Sequence, residues 1–441
     1  MRYRDALSRT RRERKIIILC SGGVLPAARR THPHTFLSEF SKLGCMGGVA
    51  VPRPANARLM KQLNRQAVLS AIRDRGPISR VELAALTGLS QPAVTAIVRD
   101  LLDLGLVEEK GLGQSSGGRP PIMLLFNPAA RFVLAVCLEG ERLWGGLADL
   151  SGALQVEAEG VLSPDPHDPA RSVCDFLQGL IDRSGVEASR LAAVAVGVPG
   201  IAHTEGTVSH APSLGWWQEV PLRDRLRQCF GVPVVVENDV NLMALGEYFQ
   251  GAGVGVANLA LMHVSEGIGA GILIDGNLFR GARNAAGEVG YLPLGPLSPR
   301  RPQDFGLFEL HYSSRAIRQQ LQAALPEAPG DDGRPVRRLR ELAEAGLPWA
   351  RSLFGDALRH WAHAVASITC ILNPELVLLA GDAVDCGREG LSEVNRIVAD
   401  LVPDPPEIRF AVLGSRAALT GAVAMALSLA DENAYGIEAD Q

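Results

Sequence analysis

An apolar run from Val232 to Val236 ends abruptly in Glu237, Asn238 and Asp239. A buried strand delivering two carboxylates and an amide to its carboxyl end puts them where open α/β sheets hold their ligands. Such a set suits a polyhydroxylated molecule, because carboxylate and amide oxygens accept from hydroxyls. The alternative for Glu237 to Asp239 is a turn closed by an Asx cap. A second apolar stretch, Leu261 to Ile274, is broken by Ser265, Glu266, Gly267, Ile268 and Gly269 and then resumes. A glycine-rich turn of this kind lets backbone N–H groups approach a phosphate or a sugar.

The elements that must position these groups follow an α/β pattern from Phe132 onward. Phe132 to Cys137 and Leu143 to Asp149 form an expected hairpin. Leu191 to Val198 is an expected strand ending at Gly200, and Leu376 to Leu379 another ending at Gly381 and Asp382. No short-period internal repeat is present. Two α/β halves with a cleft between them fit the spacing.

Charge is uneven along the 441 residues: residues 1–57 carry 11 Lys/Arg against 3 Asp/Glu, residues 58–119 carry 9 against 6, and the remainder 24 against 39. Nucleic acid is therefore expected at the front of the chain and not at the back. Residues 1–56 lack periodicity and read as a disordered or mis-started extension, with Met46 and Met60 as alternative starts. No uninterrupted apolar run approaches the ~20 residues that span a bilayer. The seven cysteines are scattered and without C-x-x-C spacing. They point to a reducing, cytoplasmic setting with neither a disulfide framework nor a zinc cluster.

Residues 57–127 read as a winged helix-turn-helix domain. Leu59, Leu63, Val68, Leu69 and Ile72 recur at helical spacing up to Gly76 and Pro77. Ser79 and Glu82 form a capping box that opens a short helix ending at Gly88, and Ser90 caps a third helix reaching about Leu104. On that helix Val94, Ile97, Val98 and Leu101 make the buried stripe. Gln91, Thr95 and Arg99 share the opposite face, where they are expected to meet a major groove alongside Ser90. Leu106 to Glu109 and Ile122 to Phe126 form the wing, joined by a Gly-rich segment in which Arg119 is the expected phosphate contact. His360 and His363, three residues apart on a helix, read as surface or packing residues rather than metal ligands, and His210 and His263 as structural.

Taken together, these segments resemble the transcriptional-repressor branch of the ROK family (repressors, open reading frames and sugar kinases), over about residues 58–430. The matching segments are Leu63-Asn64-Arg65, Gly117-Gly118-Arg119-Pro120, Gly197 to Gly200, Leu214-Gly215-Trp216, Glu237-Asn238-Asp239, Ala286 to Gly290, Leu413-Gly414 and Thr420-Gly421-Ala422. The resemblance implies a winged helix followed by a two-lobed, actin-like, sugar-kinase-like body over residues 128–441. By resemblance the sugar site comprises Asn238, Asp239, Glu288 and Glu309, with Tyr291 on one wall in place of the family's zinc-binding His. No cysteine lies between Pro296 and Phe308, where the family has its other ligands, so no metal is expected. The family's Asp-x-Gly-Gly-Thr-Lys phosphate loop aligns with Cys137 to Arg142, which places Glu139 and Glu141 in it. The second phosphate loop aligns with Ser265 to Gly269, which brings Glu266. Carboxylates repel a triphosphate, so neither ATP nor any other cofactor is expected.

The resulting expectation is a non-enzymatic regulator of carbohydrate uptake or catabolism, a homodimer or homotetramer on double-stranded operator DNA. Its effector is expected to be a sugar or sugar phosphate, and it has no membrane partner. The alternatives are a hexose kinase with Asp239 as base, and a regulator governed by a protein partner.

Overall fold

The computed structural model describes residues 57–112, 120–163, 165, 168–209, 214, 217, 219–296, 305–326 and 333–433. The extension 1–56 and Arg119 lie outside the described residues, as do His210 and Trp216.

The first domain holds α1 (Ala57–Arg75), β1 (Ile78–Ser79), α2 (Arg80–Thr87), α3 (Gln91–Asp103), β2 (Val107–Leu112) and β3 (Ile122–Phe126). Both halves of the capping box form: Glu82 N donates to Ser79 Oγ at 3.3 Å and Ser79 N donates to Glu82 at 2.8 Å. Gly88 adopts φ 69°, a left-handed conformation that ends α2 and turns the chain into α3. Val94, Ile97, Val98 and Leu101 are buried as their spacing requires. The two-residue strand β1 pairs with β3, giving the antiparallel order β1-β3-β2.

The first lobe comprises β4 (Phe132–Glu139), β5 (Arg142–Asp149), β6 (Leu154–Val161), α4 (Arg171–Ser184), β7 (Leu191–Val198), β8 (Ile201–Ala202), β9 (Val208–Ser209), α5 (Leu222–Phe230), β10 (Val234–Asn238) and α6 (Asp239–Gln250). The second comprises β11 (Leu259–Val264), β12 (Ile268–Ile274), β13 (Asn277–Leu278), α7 (Leu307–Tyr312), α8 (Ser314–Ala324), α9 (Pro335–Glu344), α10 (Pro348–Leu372), β14 (Leu376–Gly381), α11 (Gly387–Leu401), β15 (Glu407–Phe410) and α12 (Arg416–Asn433). Their sheets, β10-β7-β4-β5-β6 and β13-β12-β11-β14-β15, share one topology. Each starts as an antiparallel three-strand meander and adds two parallel strands to its first strand. This duplication is one of topology, which a search for short sequence repeats does not detect.

Helices α6 and α12 fill the space between the sheets. Val133, Ala135, Ala193, Ala195, Leu259, Leu261, Leu376 and Leu378 share a core with Leu242, Leu245, Ala422 and Ala426 of the two helices. The alternate residues of β11 and β14, such as Ala260, Met262, Val377 and Leu379, face α10 instead. This period-two division is what a strand buried on both faces produces.

The cysteine expectation needs correction, because Cys174 of α4 and Cys229 of α5 are joined as a disulfide, 55 residues apart in sequence. Two neighbouring helices on the outside of one lobe bring them together, and no local spacing foretells that. Cys137 and Cys386 are buried free thiols. Among the described residues no single helix is long and apolar enough to cross a membrane.

Candidate functional site

Gln91, Thr95 and Arg99 all lie exposed on the outer face of α3, so the structure brings these three together as their spacing requires. Ser90 is exposed but acts as the N-cap, accepting from Ala93 N at 3.4 Å. The Thr95 hydroxyl donates to Gln91 O at 2.9 Å. Two ion pairs missed in the sequence hold this face in place. Arg65 of α1 donates to Asp100 at 3.0 Å and keeps that carboxyl below its usual range, and Arg80 meets Glu109 of the wing at 2.7 Å.

At the other site, β10 ends in the Glu-Asn-Asp triplet and α6 begins within it. Asn238 is the N-cap, its Oδ1 accepting from Val240 N at 2.9 Å and Asn241 N at 3.1 Å. Its Nδ2 donates to Gly200 O at 2.9 Å, tying the loop after β7 to the helix start. The Asx cap, the plainer alternative in the sequence, is therefore realised, and only the second Nδ2 hydrogen has no partner among the described residues.

Asp239 follows, with Oδ1 accepting from Val240 N at 2.9 Å. Burial pushes its carboxyl up to about 7, and the negative charges of Glu139 and Glu288 add to the rise. Glu288 is likewise pushed up to about 7, by burial and then by Glu309. Asp239, Glu288 and Glu309 thus share one acidic cleft edge, and Glu139 from the β4–β5 turn reaches the same field. The Cys137 thiol is raised far above its normal range, first by burial and then by Asp239, so it stays neutral and is no nucleophile.

Glu309 also has a structural role. Both its oxygens are engaged by backbone amides, Oε2 by Ile268 N at 3.0 Å and Oε1 by Gly306 N at 2.6 Å. It fixes the glycine turn and the start of α7, and its negative charge acts on Glu288. Half-buried Tyr291 ends the single 3₁₀ turn that begins immediately after Glu288.

Sequence reasoning missed the group that spans the cleft. Buried Glu237 accepts from Arg280 Nε at 2.6 Å, from Asn241 Nδ2 at 2.9 Å and from its neighbour's N–H, Asn238, at 2.9 Å. Arg280 follows β13 of the second lobe, and four residues later Asn284 donates to Ala202 O of the first lobe at 2.8 Å. The loop carrying Glu288 is thereby latched across the lobes at two points.

At the β11–β12 turn, Glu266 is paired with Arg318 of α8 at 2.7 Å. Glu139 and Glu141 are exposed at the tip of the β4–β5 hairpin. His360 stacks on Tyr312 with centroids 4.0 Å apart, a packing contact, and burial pushes His263 down to about 4, leaving it neutral. Among the described residues no group of three or more His, Cys, Asp or Glu is arranged to hold a metal ion.

Residues 141–428 match the model of the ROK family. The chain belongs to the ROK family. Residues 62–108 match a winged helix-turn-helix DNA-binding model, so the amino-terminal domain of this ROK protein is a DNA-binding module. The chain is 30% identical over 395 residues to a xylose repressor of Caldicellulosiruptor bescii, covering 85% of this chain and 97% of the relative. It is 27% identical over 339 residues to the DNA-binding transcriptional repressor Mlc of Escherichia coli, covering 75% and 84%. A solved ROK family transcriptional regulator, a homologue of the E. coli Mlc protein, superposes with a TM-score of 0.71 at 25% identity over 84% of this chain and 97% of that one. A ROK family glucokinase from Streptomyces griseus, solved with glucose and AMPPNP, matches at a TM-score of 0.55 and 27% identity, covering 67% of this chain and 99% of its own.

Proposed function

We propose that this ROK protein is a sequence-specific repressor of carbohydrate genes that binds a sugar or sugar phosphate in its cleft and transfers no phosphoryl group. The observation that carries the reading is the pairing of an exposed polar recognition face on α3 with a polar cleft whose glycine turns carry Glu139, Glu141 and Glu266. Carboxylates at both turns oppose a triphosphate, and Glu266 already has a cationic partner in Arg318. Asp239 and Glu288, with the second Nδ2 hydrogen of Asn238, offer acceptors and a donor to sugar hydroxyls.

A homodimer or homotetramer would present two α3 helices to successive major grooves of a near-palindromic operator. Sugar binding would then shift the population between lobe arrangements that match the operator spacing and arrangements that do not. One observation favours a second reading, a sugar kinase. Asp239 sits near pH 7, where a general base works best.

The two readings separate in one experiment. The protein is given ATP, Mg²⁺ and in turn D-xylose, D-glucose and N-acetyl-D-glucosamine, and ADP release is followed alongside footprinting on its own upstream DNA. A footprint that changes with one sugar, without ADP release, supports the repressor. Sugar-dependent ADP release supports the kinase.

A further inference from the structure

We infer that α12 is the strut through which the cleft governs the winged helix, with the Arg73–Asp431 pair as its grip. This rests on the cleft being the effector site. The covalent link between wing and body is short and pinned at both ends. Only residues 127–131 separate β3 from β4. Asn127 Nδ2 donates to Gly105 O of the winged helix at 3.0 Å, Arg131 donates to Ser189 O of the first lobe at 3.2 Å, and Arg190 donates to Ala129 O.

The second connection is made by side chains 358 residues apart. Arg73, only 6% exposed at the end of α1, donates through both terminal nitrogens to Asp431 in the last turn of α12, at 2.9 and 3.0 Å. Its guanidinium also lies 4.7 Å from the centre of the Phe126 ring of β3. A bidentate pair of this kind fixes orientation as well as distance.

At its other end α12 is locked to α6, the helix that starts at Asn238 and Asp239. A Cβ on Gly246 would stand 2.1 Å from Ala417 O, and one on Gly421 would stand 1.9 Å from Leu242 O. Backbone therefore meets backbone in both directions, and the helices cannot slide past one another. Glu247, fully buried, accepts from Ala252 N, Val412 N and Leu413 N at 2.7–2.8 Å, which joins the end of α6 to the segment leading into α12. A cavity of about 170 Å³ bordered by Leu154, Gln250, Arg416 and Thr420 lies beside the first turns of α12. A shift of α6 at the cleft is thus carried to Asp431 and from there to α1.

The test compares wild type, Asp431→Asn and the swapped pair Arg73→Asp with Asp431→Arg. Operator affinity is measured at fixed salt with D-xylose, D-glucose and N-acetyl-D-glucosamine added in turn. The sugar-dependent change in Kd seen in wild type, roughly 5- to 150-fold for an ordinary allosteric coupling, is expected to fall below about twofold in Asp431→Asn and to return in the swapped pair. An undiminished response in Asp431→Asn, or no return in the swapped pair, overturns the inference. Should no sugar move wild type, the effector reading fails, and the strut is judged by amide exchange without ligand. Faster exchange in α1 and β3 of Asp431→Asn, with β11 and β14 unchanged, supports it, and unchanged exchange in α1 and β3 overturns it.

Discussion

Asp239 and Glu288 hold protons near neutrality because burial makes a negative charge costly, and the charges of Glu139 and Glu288 beside Asp239 and of Glu309 beside Glu288 add to that cost. The sign of the consequence is fixed. Both groups are raised to about 7 from ordinary carboxylate values, so the folded protein binds protons that the unfolded chain releases. Their contribution to stability is fully present below about pH 4 and is lost as pH rises through about 7. Thermal unfolding followed at pH 5.5 and pH 8 should therefore show a lower Tm at pH 8. Asp239→Asn should narrow that gap, and an equal gap in both proteins would exclude the assignment. Arg280 acts in the opposite way, by neutralising a charge that is always buried. Arg280→Ala leaves Glu237 without its cationic partner and is expected to cost ~1–3 kcal/mol in urea unfolding, and to loosen the loop bearing Glu288. A loss below a few tenths would mean that the latch is ornamental. On α3, Gln91→Ala and Arg99→Ala should each weaken operator binding by about 1–3 kcal/mol, measured against a scrambled duplex at the same salt. For Gln91 the scrambled duplex should bind unchanged.

Single elements show how far local patterns reach. The winged helix was legible because each of its boundaries is a local signal: a capping box at Ser79, a left-handed Gly88, an N-cap at Ser90 and a buried stripe at helical spacing. Strand β1 was not, since two residues carry no periodicity and owe their form to pairing with β3. The strands around the cleft were legible as apolar runs, and the Asn238 cap as one of two alternatives. The contacts of Glu309 with the amides of Ile268 and Gly306 could not be read in advance, because they come from a fold that sequence spacing does not display. Partners separated by long stretches were illegible altogether: Cys174 with Cys229, Arg280 with Glu237, and Arg73 with Asp431. At this scale the decisive position is the helix crossing. Gly421→Ala places a methyl group inside contact distance of the Leu242 carbonyl. Overpacking of this kind costs typically ~1–3 kcal/mol and more where backbone must move. Urea unfolding with both midpoint and slope recorded would show it, and a neutral result would mean the helices are less tightly engaged than their backbones indicate.

On the scale of the molecule, two lobes of like topology enclose a pair of crossed helices. One of these helices starts in the cleft and the other ends on the DNA-binding domain. That arrangement allows the body to control DNA binding without any chemistry in the cleft. On the proposed reading, Glu139, Glu141 and Glu266 at the turns of the two lobes oppose a triphosphate while the lobes themselves keep their fold. The most direct measurement is an anisotropy titration of labelled DNA from the chain's own upstream region, at one stated salt concentration, with and without D-xylose, D-glucose and N-acetyl-D-glucosamine. Salt must be held fixed because phosphate contacts dominate the affinity. Nanomolar-range binding to that DNA, altered severalfold by one sugar and not by the others, is the expected result. Sequence-specific binding that no sugar alters, or no sequence-specific binding at all, would contradict the account of a sugar-responsive repressor.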